Sequence, residues 1–375
     1  MSAKPGKVLV VGPAWVGDMI MSQVIYSHLR LQNPDVEIDV LAPESTVALV
    51  QRMVDVNRGI LLKQQHGQLG FGYRRQLGAH LESNRYDQAI ITPNSLKSAL
   101  VPFFADIPKR TGFLGEYRYF LLNDIKLLDK KRLPLMTDRF LRLVEATGDE
   151  LVRPRLLIDT DNQKSFLDKH QLNPGESLIG FCPGAEFGDA KKWPEAHYIE
   201  LGKKLTAAGH TIWVFGSPAD QATGERIATG IGADSVNLAG KTSLLDAIDL
   251  LALCDEVVSN DSGLMHVAAA VGAKIVGIYG STSPGFTPPL SDHASIARIE
   301  LDCAPCFKRE CPLGHKNCLN QLIPEAVLPL LVGARRDTGA SERTVREPDS
   351  MCDPKVDLDL ASDLASDLDP GTKNP

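Results

Sequence analysis

Strand and helix signals alternate along this chain, and the alternation runs through twice. KVLVV (Lys7–Val11) is an apolar run of strand length, Asp18–Arg30 has helical spacing, and EIDVLAP (Glu37–Pro43) is a second strand. QAIITP (Gln88–Pro93) is another strand, followed by a helix over Ser98–Phe104. Such alternation builds a parallel sheet with helices on both faces. A polar stretch, Asp159–Ser177, reads as a short helix and a linker. The pattern then restarts with strands at Ser177–Ala185, His210–Ser217, Glu256–Asp261 and Lys274–Gly280, separated by helices at Pro194–Ala208, Ala219–Thr229, Leu244–Leu253 and Gly263–Gly272. The expectation is an α/β chain of two doubly wound domains, residues 1–174 and 175–332. The remainder, 333–375, is rich in Asp, Ser, Arg and Pro and is expected to be disordered. Ligands of such folds sit beyond the carboxyl ends of the strands, so two facing domains would hold a site in the cleft between them.

Length and composition agree. The 375 residues suit two domains that bury cores without staples. A net charge of −7 argues against generic nucleic-acid binding. No apolar run approaches the roughly 18–20 residues of a membrane span. The first apolar run breaks at Gly12-Pro13 and meets Asp18, so it reads as a strand, not a signal peptide. A cytoplasmic location is expected, and the odd count of seven cysteines speaks against a secreted disulfide framework.

The turns after the strands carry the chemistry. Gly12-Pro13-Ala14-Trp15-Val16-Gly17-Asp18 nearly matches two phosphate loops and fits neither. A dinucleotide fingerprint wants glycine at Ala14, and a P-loop wants Lys-Ser/Thr where Asp18 and Met19 stand. A carboxylate at a helix N-terminus suits a base that faces something other than phosphate, or simply a helix cap. The second half offers anion sites. In CPGAEFGDAKKWP (Cys182–Pro194), Gly184 permits close backbone approach, and Lys191 and Lys192 supply charge suited to a diphosphate. In VFGSPAD (Val214–Asp220), Asp220 either takes ribose hydroxyls or caps the helix. NDSGLMHVAAA (Asn260–Ala270) is the densest polar turn. It gathers Asp261, Ser262 and the N–H groups of Gly263 and Leu264, with His266 a turn further into the helix as a supporting residue.

Gly17-Asp18, the Lys-Lys-Trp-Pro segment, Phe215-Gly216-Ser217, Asp261–His266 and Tyr279–Pro284, taken in order, closely resemble the heptosyltransferases of lipopolysaccharide core synthesis, glycosyltransferase family 9. The likeness runs from about Lys7 to Leu331. Pro93–Tyr119 and Gly285–Leu290 look like the branch that extends an existing inner-core heptose. The resemblance implies a GT-B fold of two Rossmann-like domains. It also implies inverting transfer from ADP-L-glycero-D-manno-heptose, with no cofactor required. The acceptor it implies is the first inner-core heptose of an anionic lipid A–Kdo-heptose precursor at the inner-membrane surface. Peripheral attachment to the inner face of that membrane would go with it. Asp18 matches the family's base, Lys191 the lysine on the donor diphosphate, and Asp261 and Ser262–Leu264 the donor turn. Lys192, Gly184, Ser217, Asp220 and Thr242 fall at or near donor contacts.

The acceptor side can be read by charge. From Arg58 to Arg118 there are nine Lys/Arg against four Asp/Glu, a net of +5 in a chain of −7. That suits an anionic acceptor or is a solvated surface. Asn94, Ser95, Lys97, Arg110 and Arg118 are the candidate acceptor residues. Cys303, Cys306, Cys311 and Cys318, spaced C-x2-C-x4-C-x6-C, suit a structural metal or stand as reduced thiols in a hairpin. Other readings are a family 9 enzyme that adds the first heptose or uses another sugar nucleotide, a nicotinamide oxidoreductase suggested by the near-fingerprint, and a non-catalytic sugar-nucleotide-binding protein.

Overall fold

The computed structural model describes residues 4–63, 68–147, 151–332 and 355–357. The chain divides into two compact units, 1–153 with 352–375, and 154–351.

In the first unit, β1 (Lys7–Val11), β2 (Glu37–Pro43), β3 (Arg58–Leu62), β4 (Gln88–Ile91), β5 (Lys109–Phe113) and β6 (Asp124–Lys126) form a parallel sheet. In the second, β7 (Leu178–Cys182), β8 (Thr211–Val214), β9 (Ser235–Asn237), β10 (Glu256–Asn260), β11 (Lys274–Ile278) and β12 (Ala294–Ala297) do the same. A further strand, β13 (Lys355–Asp357), lies parallel to β3. The orders are β13-β3-β2-β1-β4-β5-β6 and β12-β11-β10-β7-β8-β9. Central strands are buried on both faces, which is why Val8–Val11 and Ile179–Cys182 are apolar at every position rather than alternating.

Each order reverses once, between β1 and β4 in the first sheet and between β7 and β10 in the second. At such a point the connections leave in opposite directions and open a crevice at the carboxyl ends of the strands. The two reversals are the points at which folds of this kind take their ligands. Thr92, just past β4, donates its hydroxyl to the Val11 carbonyl at 2.8 Å and so ties the ends of β4 and β1 together. Asn260, wholly buried at the end of β10, donates to the Pro183 carbonyl just past β7 at 2.6 Å.

The units divide earlier than the sequence reading set it. Residues 154–174 belong to the second unit because the helix Thr160–His170 is fastened there by polar side chains. Asn162 donates to Asp249 Oδ2 at 2.8 Å, Gln163 donates to the Asp249 carbonyl at 2.6 Å, and the Asp159 N–H donates to Asp249 Oδ1 at 2.8 Å. The expected disorder of 333–375 falls outside the described residues except at Lys355–Asp357, where a short edge strand stands instead.

Candidate active site

In the first unit the β1 turn is short and tightly held. Gly12 packs so closely on Met19 that a Cβ would meet the Met19 methyl at 2.5 Å. Ser45 and Thr46 donate their hydroxyls to the carbonyls of Ala14 and Pro13. The helix Val16–Met21 begins after Trp15, so Trp15 and not Asp18 is the cap residue. Asp18 stands third in that helix, in its first turn and partly exposed. Asp18 is thus a partly exposed carboxylate at the β1/β4 reversal.

The turn after β4 is organised by Arg118. This guanidinium is wholly buried. Its Nη1 donates to the carbonyls of Pro93 and Ser95 and to Ser98 Oγ, each at 2.8 Å, while Nη2 donates to the Phe113 carbonyl at 2.7 Å. Burial pushes its pKa down to about 10. Arg118 was expected to meet the acceptor; instead it clamps the loop from beneath, since its donors are spent on loop carbonyls and on Ser98 Oγ. Arg110 is similarly engaged, donating to Leu121 and Ile107 carbonyls at 2.7 Å. Asn94 is exposed, Ser95 and Lys97 are partly so, and Lys97 donates to the Gln68 carbonyl at 3.2 Å.

The second unit gathers the donor candidates at the β7/β10 reversal. Lys191 Nζ donates to Asp261 Oδ2 at 2.7 Å and to the Asp261 carbonyl at 3.1 Å, and it lies 5.1 Å from the centre of the Phe187 ring. An ammonium has three N–H bonds, and Asp261 takes two of them. Asp261 is buried, and Thr282 donates to the same Oδ2 at 2.6 Å, with Thr287 Oγ 3.4 Å from Oδ1. Ser262 precedes the helix Gly263–Ala270, and its side chain makes no capping bond to the first N–H groups, at Gly263 and Leu264. Uncapped amides at a helix N-terminus beside an ammonium form an anion site. His266 is buried one turn further in; burial holds it down to about 4, so it is neutral at pH 7.

Asp220 is held within its own turn, as the capping alternative expects. Its Oδ2 accepts from Ser217 Oγ at 2.7 Å and from the Ser217 N–H at 3.1 Å, and Lys192 Nζ lies 3.7 Å from Oδ1. Gly184 is glycine because a Cβ there would sit 2.5 Å from Asp220 Oδ2. Ser217, Asp220, Gly184 and Lys192 thus form one packed corner in which the carboxylate braces the loops. Thr242 is partly exposed just before the helix Leu244–Leu251, whose cap is Ser243.

The sequence reading missed Asn260 and Thr282. Besides holding Pro183, Asn260 accepts from the Trp193 N–H and from Tyr198 OH, both at 3.2 Å, and so locks the lysine loop to β10. An Asn directly before Asp261 was the available signal. A cavity of about 350 Å³ opens past the ends of β11 and β12, bordered by Gly280, Thr282, Arg298, Glu300 and Asp302. Among the described residues no group of three or more His, Cys, Asp or Glu is arranged to hold a metal ion, so the metal reading of Cys303, Cys306, Cys311 and Cys318 is unsupported. These four are free thiols, all partly exposed.

The model of glycosyltransferase family 9 (heptosyltransferase) matches residues 74–317. The chain is 44% identical over 335 residues to the lipopolysaccharide heptosyltransferase 2 of Escherichia coli (strain K12), covering 86% of this chain and 96% of that one. It is 43% identical over 340 residues to the lipooligosaccharide heptosyltransferase 2 of Haemophilus influenzae, covering 86% and 98%. The solved structure of E. coli ADP-heptose LPS heptosyltransferase II is matched with a TM-score of 0.77 at 42% identity, over 87% of this chain and 97% of that one. The likeness spans both doubly wound units, and the chain accordingly belongs to glycosyltransferase family 9, the heptosyltransferases, as an α/β enzyme of the GT-B fold.

Proposed function

We propose that the chain transfers L-glycero-D-manno-heptose from ADP-heptose to the first heptose of an anionic lipid A–Kdo-heptose precursor, with inversion, in lipopolysaccharide core synthesis. The observation that carries this is the β7/β10 turn, where the Lys191 ammonium and the uncapped helix at Gly263 converge beside Asp261. That arrangement fits a diphosphate. Similarity to relatives named heptosyltransferase 2 supports the heptosyl donor and this branch over the one that adds the first heptose, whose relative in Pseudomonas aeruginosa is 26% identical.

Inverting transfer needs two things, a base that takes the proton from the acceptor hydroxyl and stabilisation of the departing diphosphate. In this reading Asp18 takes the proton as the hydroxyl oxygen bonds to the anomeric carbon. The bond from that carbon to the β-phosphate oxygen breaks as the new one forms, and the displacement inverts the centre. Lys191 and the Gly263 and Leu264 amides receive the charge that collects on ADP. Asn94, Ser95 and Lys97 are the acceptor contacts. The enzyme would work in the cytoplasm at the inner face of the inner membrane, where a lipid-linked acceptor is presented. No helix among the described residues is long and apolar enough to cross a membrane.

The test is a mass-spectrometric assay with ADP-heptose and two acceptors, one carrying a single heptose and one carrying none. Product from the one-heptose acceptor alone is expected. Product from the heptose-free acceptor alone assigns the other branch, and ADP-heptose binding with no product from any acceptor leaves a sugar-nucleotide-binding protein.

A further inference from the structure

We infer that the loops past β5 and β6 form a docking surface for an anionic lipid bilayer. Four large side chains stand in solvent there: Tyr117 at 84%, Tyr119 at 58%, Phe120 at 68% and Leu127 at 75% exposure. Three of the four stand within four residues of one loop, a local concentration of exposed apolar side chains of the kind that marks an interaction surface. The two loops leave the same end of the sheet. Phe113 and Lys126, the last residues of β5 and β6, are register partners, and the Leu114 N–H donates to the Lys126 carbonyl at 3.0 Å.

The display is built. Glu116 and Tyr117 both adopt positive φ, at 47° and 54°, a conformation that costs side-chain-bearing residues free energy. It is held by the buried Arg118 clamp below and by Glu116, whose carboxylate accepts from the Leu96 N–H at 2.7 Å. The turn that presents Tyr117 is thus pinned to the Asn94–Lys97 loop.

Charge selects the occupant. Of the seven Lys/Arg between Lys109 and Arg132, Arg118 and Lys126 are buried, so the cations that face solvent just past β6 are Lys130, Lys131 and Arg132. Lys130, Lys131 and Arg132 are exposed directly after Leu127-Leu128-Asp129. Aromatic rings settle at the level of lipid headgroups, and adjacent lysines are drawn to anionic ones. A molecule that is acidic overall approaches an anionic surface only through such a basic corner. The inference rests on the proposed function in one respect: a lipid-anchored acceptor would then meet the Asn94–Lys97 loop at headgroup height.

The test is sedimentation of the full chain with vesicles of phosphatidylethanolamine and phosphatidylglycerol, and with vesicles of phosphatidylcholine alone. Wild type should pellet with the anionic vesicles and stay in solution with the neutral ones. The triple substitution Tyr117→Ser, Tyr119→Ser, Phe120→Ser should weaken anionic-vesicle partitioning on the order of tenfold. Lys130→Glu with Lys131→Glu should do the same by charge, which keeps the test open if the triple variant folds poorly. On a deacylated, soluble acceptor the triple variant should keep wild-type turnover. Equal partitioning of wild type and both variants overturns the inference. So does an equal loss of turnover on the soluble acceptor, which would assign the rings to sugar contact, or self-association of wild type that the triple variant abolishes. Sedimentation needs no turnover, so failure of the functional reading in the transfer assay and failure of this surface are separate results.

Discussion

At the residue scale the site is decided by which polar groups still have capacity. Lys191 spends two of its N–H bonds on Asp261, so its ammonium arrives already aimed. Lys191→Ala is expected to lower turnover by about 10²–10³, the usual range for one charge-stabilising contact, and to weaken ADP binding. Calorimetry with ADP and steady-state rates check both; unaltered values would move the role to the helix amides. Thr282 acts one step back, since its hydroxyl holds the Asp261 oxygen that holds Lys191. Thr282→Val should weaken ADP roughly tenfold, the scale of one hydrogen bond to a charged group, while Thr282→Ser restores it. Equal ADP affinity in Thr282→Val and wild type would make the threonine mere packing. Asp18 differs in kind. It is not the helix cap, so Asp18→Asn should leave melting temperature and ADP affinity nearly unchanged while turnover falls by at least roughly 10²-fold, the range for a lost general base. Near-native turnover in that variant would place the base elsewhere.

At the scale of the element, the helix Gly263–Ala270 carries a pH dependence of its own. His266 is buried within it and held at about 4 against an ordinary 6.5, by loss of solvent first, with the Asp261 charge opposing that and the Lys191 charge adding to it. Below about 6.5 the unfolded chain takes up a proton that the folded chain refuses, so stability is full above that pH and declines as pH falls toward about 4. Melting curves across this window should show the decline, and His266→Gln should flatten part of it. An identical slope in the variant would show that other groups carry the effect. Elements also show what could be read in advance. Val8–Val11, Val40–Ala42 and Val257–Val258 are apolar without a break because central parallel strands are covered on both faces. Arg58–Leu62, Lys109–Phe113 and Asp124–Lys126 lie toward the edges or are short and charged, and they gave no such signal. Arg118 misled for a related reason. Arginine is almost never fully buried unless its donors are satisfied, and the carbonyls that satisfy this one come from loops that only the fold brings together. Asp261 and Lys191 were legible as a pair of turns; Thr282, at the third corner, was not, because nothing in its spacing sets it apart from the serines around it.

At the scale of the whole molecule, the two units were legible from the repeated alternation, but not the ownership of residues 154–174. Apolar periodicity reports cores, and the helix Thr160–His170 is tied to its unit by amide and carboxylate groups that periodicity does not see. The carboxy-terminal segment poses the same question in a form that can be tested. Its composition lacks the apolar residues for a core, yet Lys355–Asp357 adds a strand outside β3 and covers that edge of the first sheet. Three residues of edge pairing contribute little beside a sheet whose central strands are wholly buried. A chain ending at Gly333 is therefore expected to fold, to melt only a few degrees lower (about 1 kcal/mol corresponds to roughly 2–4 °C in a unit of this size), and to keep turnover near that of the full chain. The exposed edge should show itself differently, since an uncovered parallel edge invites pairing between molecules. Light scattering at rising concentration should find more self-association in the shortened chain. A large fall in melting temperature or in turnover would mean that the segment docks on the body through more than this strand.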